Sequence, residues 1–581
     1  MPPPGLLRLG GACERAGIDV VLEDLPHRLT AGRLPEGDEL ADRAAELLLE
    51  RGEFDLIGLS VMGATLPIAL AIAERLRALA PTTRLAVGGP GTTGVDVALL
   101  ERFPALDVVV RGEAELTLVE LVERLGRDES LAGLAGITHR SKAGVVREAD
   151  RRPIDDLSTL PPLAWHLVEP FERYAELAGG DEGLIPIDSG RGCVYDCSFC
   201  TIGRYWSRRS RPLPVPELVR EILDVKARPG AANAYLCHDL FGADRKHALA
   251  LCAELEALGA PVPWEARARV DHLDDELVEA MGRAGCYRVL LGIESASHAV
   301  RQRHSKNMAA DVDVLAAVER LANARIVPIL SLILGLPGET DADLRATLDL
   351  ACDAAQTAGV NVSLHLVNPQ PGCGLGEEFG ATSRPVEGIA PDMALGTGTT
   401  AAERELIASH PDLFSTYALL TGEPGGEAHL RRLHRIAVGL PNLLEKRPRT
   451  FARLATFLGC DTLDTFESLA TADGPDALDR LATESGDAWL RSTARWECAL
   501  DESVDGLATP LELDADPTRP KTDGAPVCLA VVRHGDLVRT TRISPPLALA
   551  LAEIRRAPDR ARHDDPRVDA LRRAGLIPAT V

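Results

Sequence analysis

Three of the twelve cysteines in this 581-residue chain crowd into one short segment: Cys193, Cys197 and Cys200, in the order C-x3-C-x2-C. Three thiolates on one loop can wrap a single inorganic cluster. A 4Fe–4S cube has four iron corners, so three cysteines leave one iron open to another ligand. Gly190 and Gly192, just ahead of the triplet, free the backbone to turn tightly around such a cube. Structural zinc is the competing reading. It almost always takes four protein ligands, and no fourth Cys or His lies near this loop in the sequence. The other nine cysteines are scattered, among them Cys13, Cys237, Cys252 and Cys286, and read as small buried hydrophobes rather than a disulfide framework.

A loop can present three thiols to one cluster only if rigid elements hold its ends. An expected strand, Leu184–Ser189, runs directly into the motif and opens an α/β series. Further strands are expected at Asn233–Asp239, Trp264–Val270, Arg288–Ser295, Pro328–Leu334 and Val360–Val367. Helices near 216–227, 244–258, 273–284, 311–324 and 341–357 fall between them. Six strand–helix units are fewer than the eight of a closed barrel, so a partial (βα)6 barrel of the TIM type is expected. Such barrels carry their chemistry at the carboxyl ends of the strands, where the triplet falls.

Upstream, strands are expected at Ile18–Asp24, Asp55–Ser60, Arg84–Gly88 and Asp107–Val110, with helices at Glu39–Arg51, Ile68–Leu79 and Leu116–Leu125. This alternation predicts a Rossmann-like parallel sheet covered on both faces. Ser60, Gly88, Gly89, Gly112 and Glu113 stand at its strand ends, where open α/β sheets bind ligands. No G-x-G-x-x-G in frame and no Walker lysine accompany them. The expected organisation is α/β: a sheet domain over 1–130, a connector rich in charge and proline over 131–180, and the barrel over 181–379. A mostly helical region over 380–524 follows, with helices near 401–409, 427–438, 448–458 and 476–494. The end module, 525–581, reads as a hairpin of Val527–Arg533 and Leu537–Arg542 followed by helices at 545–556 and 566–575, a winged-helix-like pattern.

The formal net charge of −24 repels polyanions, so nucleic acid is not an expected partner. A basic cluster, Arg204, Arg208, Arg209 and Arg211, follows the cysteines and fits either a solvated loop or an anion contact. No apolar run reaches the roughly 18 residues needed to cross a bilayer, and the start lacks a signal-peptide pattern. A cytoplasmic protein without a membrane partner is expected. His410–Tyr417 is polar-aromatic and reads as a helix-capping turn or a cavity lining; Trp489 and Trp496 read as core.

The run Arg191-Gly192-Cys193-Val194-Tyr195-Asp196-Cys197-Ser198-Phe199-Cys200 resembles the signature of the radical S-adenosylmethionine (SAM) superfamily, C-x3-C-x-aromatic-C. The resemblance implies that the open iron chelates SAM and that cleavage of SAM yields a 5′-deoxyadenosyl radical. It extends over about 184–375. Leu236–Phe241 resembles the end of the second strand, which implies Asp239 for the SAM amine. Arg267 and Arg269 share one side of a strand, and one of them would pair with the SAM carboxylate; a buried ion pair is the alternative. Gly292-Ile293-Glu294-Ser295 resembles the strand along the adenosine, with Glu294 near ribose or substrate. Gly335-Leu336-Pro337-Gly338 resembles the turn after the fifth strand, where Gly335 is explained equally by the turn.

Ahead of such a barrel, the first domain resembles that of the cobalamin-dependent radical SAM branch. Pro3-Pro4-Gly5-Leu6-Leu7 looks like its opening Pro-Pro-x-Gly-Leu. Ser60, Gly88, Gly89, Gly112 and Glu113 would then line the cobalamin. Only two residues precede Pro3, where that branch places its first strand, and the D-x-H-x-x-G motif that supplies an axial histidine is not found. The resemblance implies a methyltransferase that uses a 4Fe–4S cluster, SAM and cobalamin to methylate an unactivated carbon or a phosphinate of a natural product or peptide. A cyclase or rearrangement enzyme with the same cofactors, or a cluster-bearing sensor without turnover, is the alternative. An electron donor such as flavodoxin or ferredoxin is the expected protein partner.

Overall fold

The computed structural model describes residues 1–472 except 178–182, 310–311, 358, 392–396, 424 and several positions between 447 and 459. Beyond 472 it describes strands at 509–511, 528–534 and 537–543. The helices expected over 476–494, 545–556 and 566–575, with Trp489 and Trp496, lie outside the described residues. The chain divides into two compact units, Met1–Gly338 with His365–Leu433, and Glu339–Leu364 with His434–Val581.

The first sheet orders its strands by sequence: β1 (Leu56–Ser60), β2 (Arg84–Gly88), β3 (Val108–Val110), β4 (Ile137–Ser141) and β5 (Gly144–Arg147). β1 to β3 are parallel and nearly all apolar, as strands covered on both faces must be. The helices Leu40–Glu50 and Leu66–Leu79 bury Ala44, Ala45, Leu70, Ala73 and Leu76 in the same core as Ile57, Leu85 and Val87.

Two features depart from expectation. Ile18–Asp24 belongs to no strand or helix, and Val21 is 48% exposed. Strand propensity is realised only against a neighbour, and among the described residues nothing pairs with it. The residues before it, Pro4–Arg15, form a helix that pattern reading missed. The supposed connector contains the hairpin β4–β5, which adds to β3 antiparallel, so the sheet is mixed rather than wholly parallel. Its short strands, ITHRS and GVVR, show no period-two alternation of burial to mark them in the sequence.

The second sheet is parallel and also follows chain order: β6 (Leu184–Ile187), β9 (Asn233–Leu236), β10 (Trp264–Ala268), β11 (Cys286–Glu294), β12 (Val327–Leu334) and β13 (Asn361–Leu366). These are the six strands of an open barrel. Alternate residues of β12 are buried, from Pro328 through Leu330 and Leu332 to Leu334. The intervening helices start where sequence signals place them: Asp244, Asp274, Ser297 and Asp313 each accept a backbone N–H as N-cap. Two short strands, β7 (Gly190–Arg191) and β8 (Arg211–Pro212), pair antiparallel and staple the base of the cysteine loop.

In the second unit, Asp341–Ala355 begins with a Thr340–Asp343 capping box, and Arg345 pairs with Asp464 of the helix Thr462–Ala472 at 2.8 Å. Cys528–His534 and Leu537–Ile543 form the expected hairpin, joined on its outer side by Thr509–Leu511.

Candidate active site

The cysteine loop leaves the carboxyl end of β6. Gly192 has φ +88°, and a Cβ there would lie 2.7 Å from Trp206 Cβ, so the loop closes only around glycine. Cys193, Cys197 and Cys200 are free, half-buried thiols. Burial raises all three, Cys197 to about 11 and Cys200 to about 12. Lys306 and Arg269 oppose that rise at Cys193 and Cys197. Cationic side chains thus face thiols that must lose their protons to bind iron.

Arg269 is almost fully buried just beyond β10. Its Nε and Nη2 donate to Asp271 at 2.9 and 2.8 Å, and Nη2 also donates to the Asn307 carbonyl. Its guanidinium stacks 3.9 Å from the Tyr195 ring centroid. Among the described residues Nη1 is buried with no partner, a donor left for a further acceptor. Arg267 is exposed and lies over Tyr235. The Asp239 carboxylate accepts from the Gly192 backbone N–H at 3.0 Å; burial raises it. Glu294 closes β11 with φ +69° and accepts from Lys306 at 2.8 Å.

Lys306, His272 and His304 carried no sequence signal. Lys306 stood as a lone charge in an arginine-rich stretch, yet it is buried against Glu294. Tyr195 and His272 share a hydrogen bond at 2.9 Å. His304 Nε2 donates to the Pro337 carbonyl at 3.0 Å and Nδ1 bonds the Ser198 hydroxyl at 2.8 Å, which ties the cysteine loop to the turn after β12. Gly335 has φ +81° and a Cβ there would meet Leu433 at 2.8 Å, so turn and packing both demand glycine.

At the first sheet, Ser60, Gly88 and Gly112 stand at or just beyond the carboxyl ends of β1, β2 and β3. Gly89 has φ +103°, and a Cβ there would sit 2.6 Å from the Val61 carbonyl. Met62 is 48% exposed, and beyond the adjoining residues no described atom lies within 4 Å of where a Gly112 Cβ would stand. Glu113 is committed elsewhere: it pairs with Arg211 and accepts the Ile154 backbone N–H at 2.7 Å. The other arginines of the basic cluster are also matched, Arg204 by Asp196 and Glu377, Arg208 by Asp196 and Arg209 by Asp155. His410–Tyr417 packs on the first domain, where Tyr417 donates to the Ala64 carbonyl at 2.6 Å.

Residues 187–351 match the Radical SAM superfamily model, and residues 1–122 match the B12 binding domain model. The chain carries a B12-binding domain followed by a radical SAM domain. An uncharacterized methyltransferase of Pyrococcus horikoshii is 25% identical over 350 residues, 60% of this chain and 73% of that protein. The anaerobic magnesium-protoporphyrin IX monomethyl ester cyclase of Cereibacter sphaeroides is 26% identical over 365 residues, 61% of this chain but only 56% of the cyclase. The cytidylyl-2-hydroxyethylphosphonate methyltransferase of Streptomyces wedmorensis is 26% identical over 244 residues, 37% of this chain and 45% of the relative. The fold resembles that of the radical SAM methyltransferase TsrM of Kitasatospora setae, solved with tryptophan and a SAM analogue (TM-score 0.57, 18% identity, 72% of this chain and 82% of TsrM). It also resembles the cobalamin-dependent radical SAM enzyme OxsB, solved with aqua-cobalamin and SAM (TM-score 0.56, 14% identity, 83% of this chain and 72% of OxsB).

A radical SAM domain implies a 4Fe–4S cluster and SAM, and a B12-binding domain implies cobalamin. The residues present fit these groups. The donor set is three soft thiols with cations beside them, which suits a cluster with one open iron. The orphaned Arg269 Nη1 suits a carboxylate. Met62 and the open space at Gly112 suit a broad, largely apolar ligand over the strand ends.

Proposed function

We propose that this chain is a cobalamin-dependent radical SAM methyltransferase acting on an unactivated carbon, or a phosphinate, of a natural-product or peptide substrate. One observation carries the reading: Arg191, two residues before Cys193, donates to Glu115 of the first domain at 2.5 Å. The cysteine loop and a strand-end turn of the B12-binding domain therefore adjoin, which a substrate served by both cofactors requires.

When bound, the cluster and SAM supply a carbon-centred radical, and cobalamin supplies a methyl group. The chain's own residues bind and orient. Cys193, Cys197 and Cys200 hold iron. In this reading Asp239 and Arg269 fix the amine and carboxylate of SAM, and Glu294, held by Lys306, reaches the ribose or substrate. Ser60, Gly88, Gly89 and Gly112 line the cobalamin face, while Glu113 orients the Gly112 turn through Arg211. Arg267, exposed at the strand end, is the second candidate for the carboxylate. A reductant such as flavodoxin or ferredoxin, and a cytoplasmic setting, belong to the same proposal. Among the described residues no helix is long and apolar enough to cross a membrane.

Cyclisation or rearrangement with the same cofactors is the second reading, supported by the likeness to the magnesium-protoporphyrin cyclase. Anaerobic reconstitution with iron, sulfide and hydroxocobalamin, followed by SAM turnover under a strong reductant, separates the cases. A retained corrin spectrum with both 5′-deoxyadenosine and S-adenosylhomocysteine supports methyl transfer. Deoxyadenosine alone with corrin retained favours the second reading, and deoxyadenosine with no corrin retained removes cobalamin from both.

A further inference from the structure

At the base of the cysteine loop, Arg191 and Arg211 stand directly opposite each other across the two-residue ladder of β7 and β8. Like charges paired across strands repel. Both side chains are nearly fully buried, at 5% and 6% exposure, so water does not screen them. Their guanidiniums also flank one ring: Arg191 lies 5.6 Å and Arg211 5.8 Å from the Trp206 centroid. Two buried cations at this spacing persist only if carboxylates answer them.

The answering carboxylates come largely from the other domain. Arg191 donates to Glu115 at 2.5 Å and to Asp188 at 2.7 Å, and Glu113 lies 3.8 Å from it. Arg211 pairs with Glu113 and donates to the Ile154 carbonyl. Asp188, at the end of β6, in turn accepts from Arg8 of the N-terminal helix at 3.2 Å, and Arg8 reaches Glu221 at 2.7 Å. Tyr205, inside the loop, donates to the Gly112 carbonyl at 3.2 Å. The turn at 112–115 and the loop at 191–211 are thus joined by four side chains whose charges cancel only together.

We propose that Arg191 and Glu115, with Arg211 and Glu113, are positioning residues that fix the cobalamin-side turn against the cluster loop and so set the separation of the two cofactors. This rests on the reading of both cofactor sites given above. The four are placed to act through the Gly112 turn and through Cys193 rather than on the substrate itself. The pairing makes the separation stiff, because the like-charged ladder opens if either carboxylate withdraws.

The test uses the full chain reconstituted with iron, sulfide and hydroxocobalamin, then reduced so that cluster and Co(II) are both paramagnetic. Electron paramagnetic resonance reads the relaxation enhancement of cobalt by the cluster, which falls steeply with distance. Wild type is expected to show it. Glu115→Gln, which keeps shape and removes charge, is expected to lose it while iron and corrin contents stay at wild-type levels. Glu115→Asp is expected to restore part of it, and Arg191→Lys, which keeps the charge, to broaden it. Enhancement unchanged in both Glu115→Gln and Arg191→Lys overturns the proposal. So does wild type that binds both cofactors without magnetic contact. If both variants lose a cofactor outright, the network serves folding and the proposal also fails. If wild type retains no corrin, the cobalamin reading itself fails, and this inference with it.

Discussion

The Lys306 ammonium donates to the Glu294 carboxylate at 2.8 Å, with both side chains at least nine-tenths buried. Glu294 holds this contact from a left-handed backbone, φ +69°, that non-glycine residues seldom adopt. The pairing joins the end of β11 to the segment after the next helix, beside Cys197. Removing one partner strands the other charge in a poorly solvated place. Glu294→Gln is expected to cost about 3–5 kcal/mol of local stability. The double variant Glu294→Gln/Lys306→Met should cost less than Glu294→Gln alone. Native-state hydrogen exchange of β11 amides measures both.

Among the described residues one buried nitrogen of Arg269 has no partner. A charge-assisted hydrogen bond contributes roughly 1.5–3 kcal/mol. Arg269→Met should therefore weaken SAM binding by about 10- to 150-fold, with cluster iron retained. Calorimetric titration of the reconstituted chain with SAM reads the change. An unaltered affinity would move the assignment to Arg267.

Gly192 and Gly94 both have positive φ, +88° and +76°, but only Gly192 is crowded. Alanine at Gly94 meets open space and should cost only the backbone strain, about 1–2 kcal/mol. Alanine at Gly192 must also displace Trp206. Iron retained after gel filtration should fall sharply for Gly192→Ala and stay near wild type for Gly94→Ala.

His238 sits one residue before Asp239, almost fully buried, with its Nε2 3.0 Å from the Ser210 hydroxyl. Burial lowers it from 6.5 to about 4, so the fold keeps it neutral. The sign follows from linkage. Below about 6.5 the unfolded chain takes up a proton that the fold refuses, so stability falls as pH drops toward about 4 and then levels off. The slope is at most about 1.4 kcal/mol per pH unit. His238→Gln should flatten this limb in thermal melts between those limits.

Much of this was legible in the sequence, for physical reasons that differ by element. The barrel strands were readable because continuous apolar runs such as Val327–Leu334 have few other uses. The triplet was readable because three thiols so close have little other chemistry. Ile18–Asp24 misled because a β-rich run becomes a strand only beside a partner. Lys306 was invisible as a site neighbour, and Arg191 as a link to Glu115, because a charge's worth depends on burial and on which carboxylate faces it. The place of Glu113 at a strand end suggests a ligand-lining residue, whereas its engagement by Arg211 is visible only in the tertiary structure.

The stapled base of the cysteine loop also limits how freely such proteins can be recombined. Its two arginines borrow their counter-charges from residues 113–115, and Asp188 borrows Arg8. A barrel transplanted without the first domain would carry Arg191 and Arg211 facing each other with two of their three carboxylates gone. Chimaeras that exchange one domain alone would have to redesign that seam, so the two halves are expected to diverge as a matched pair.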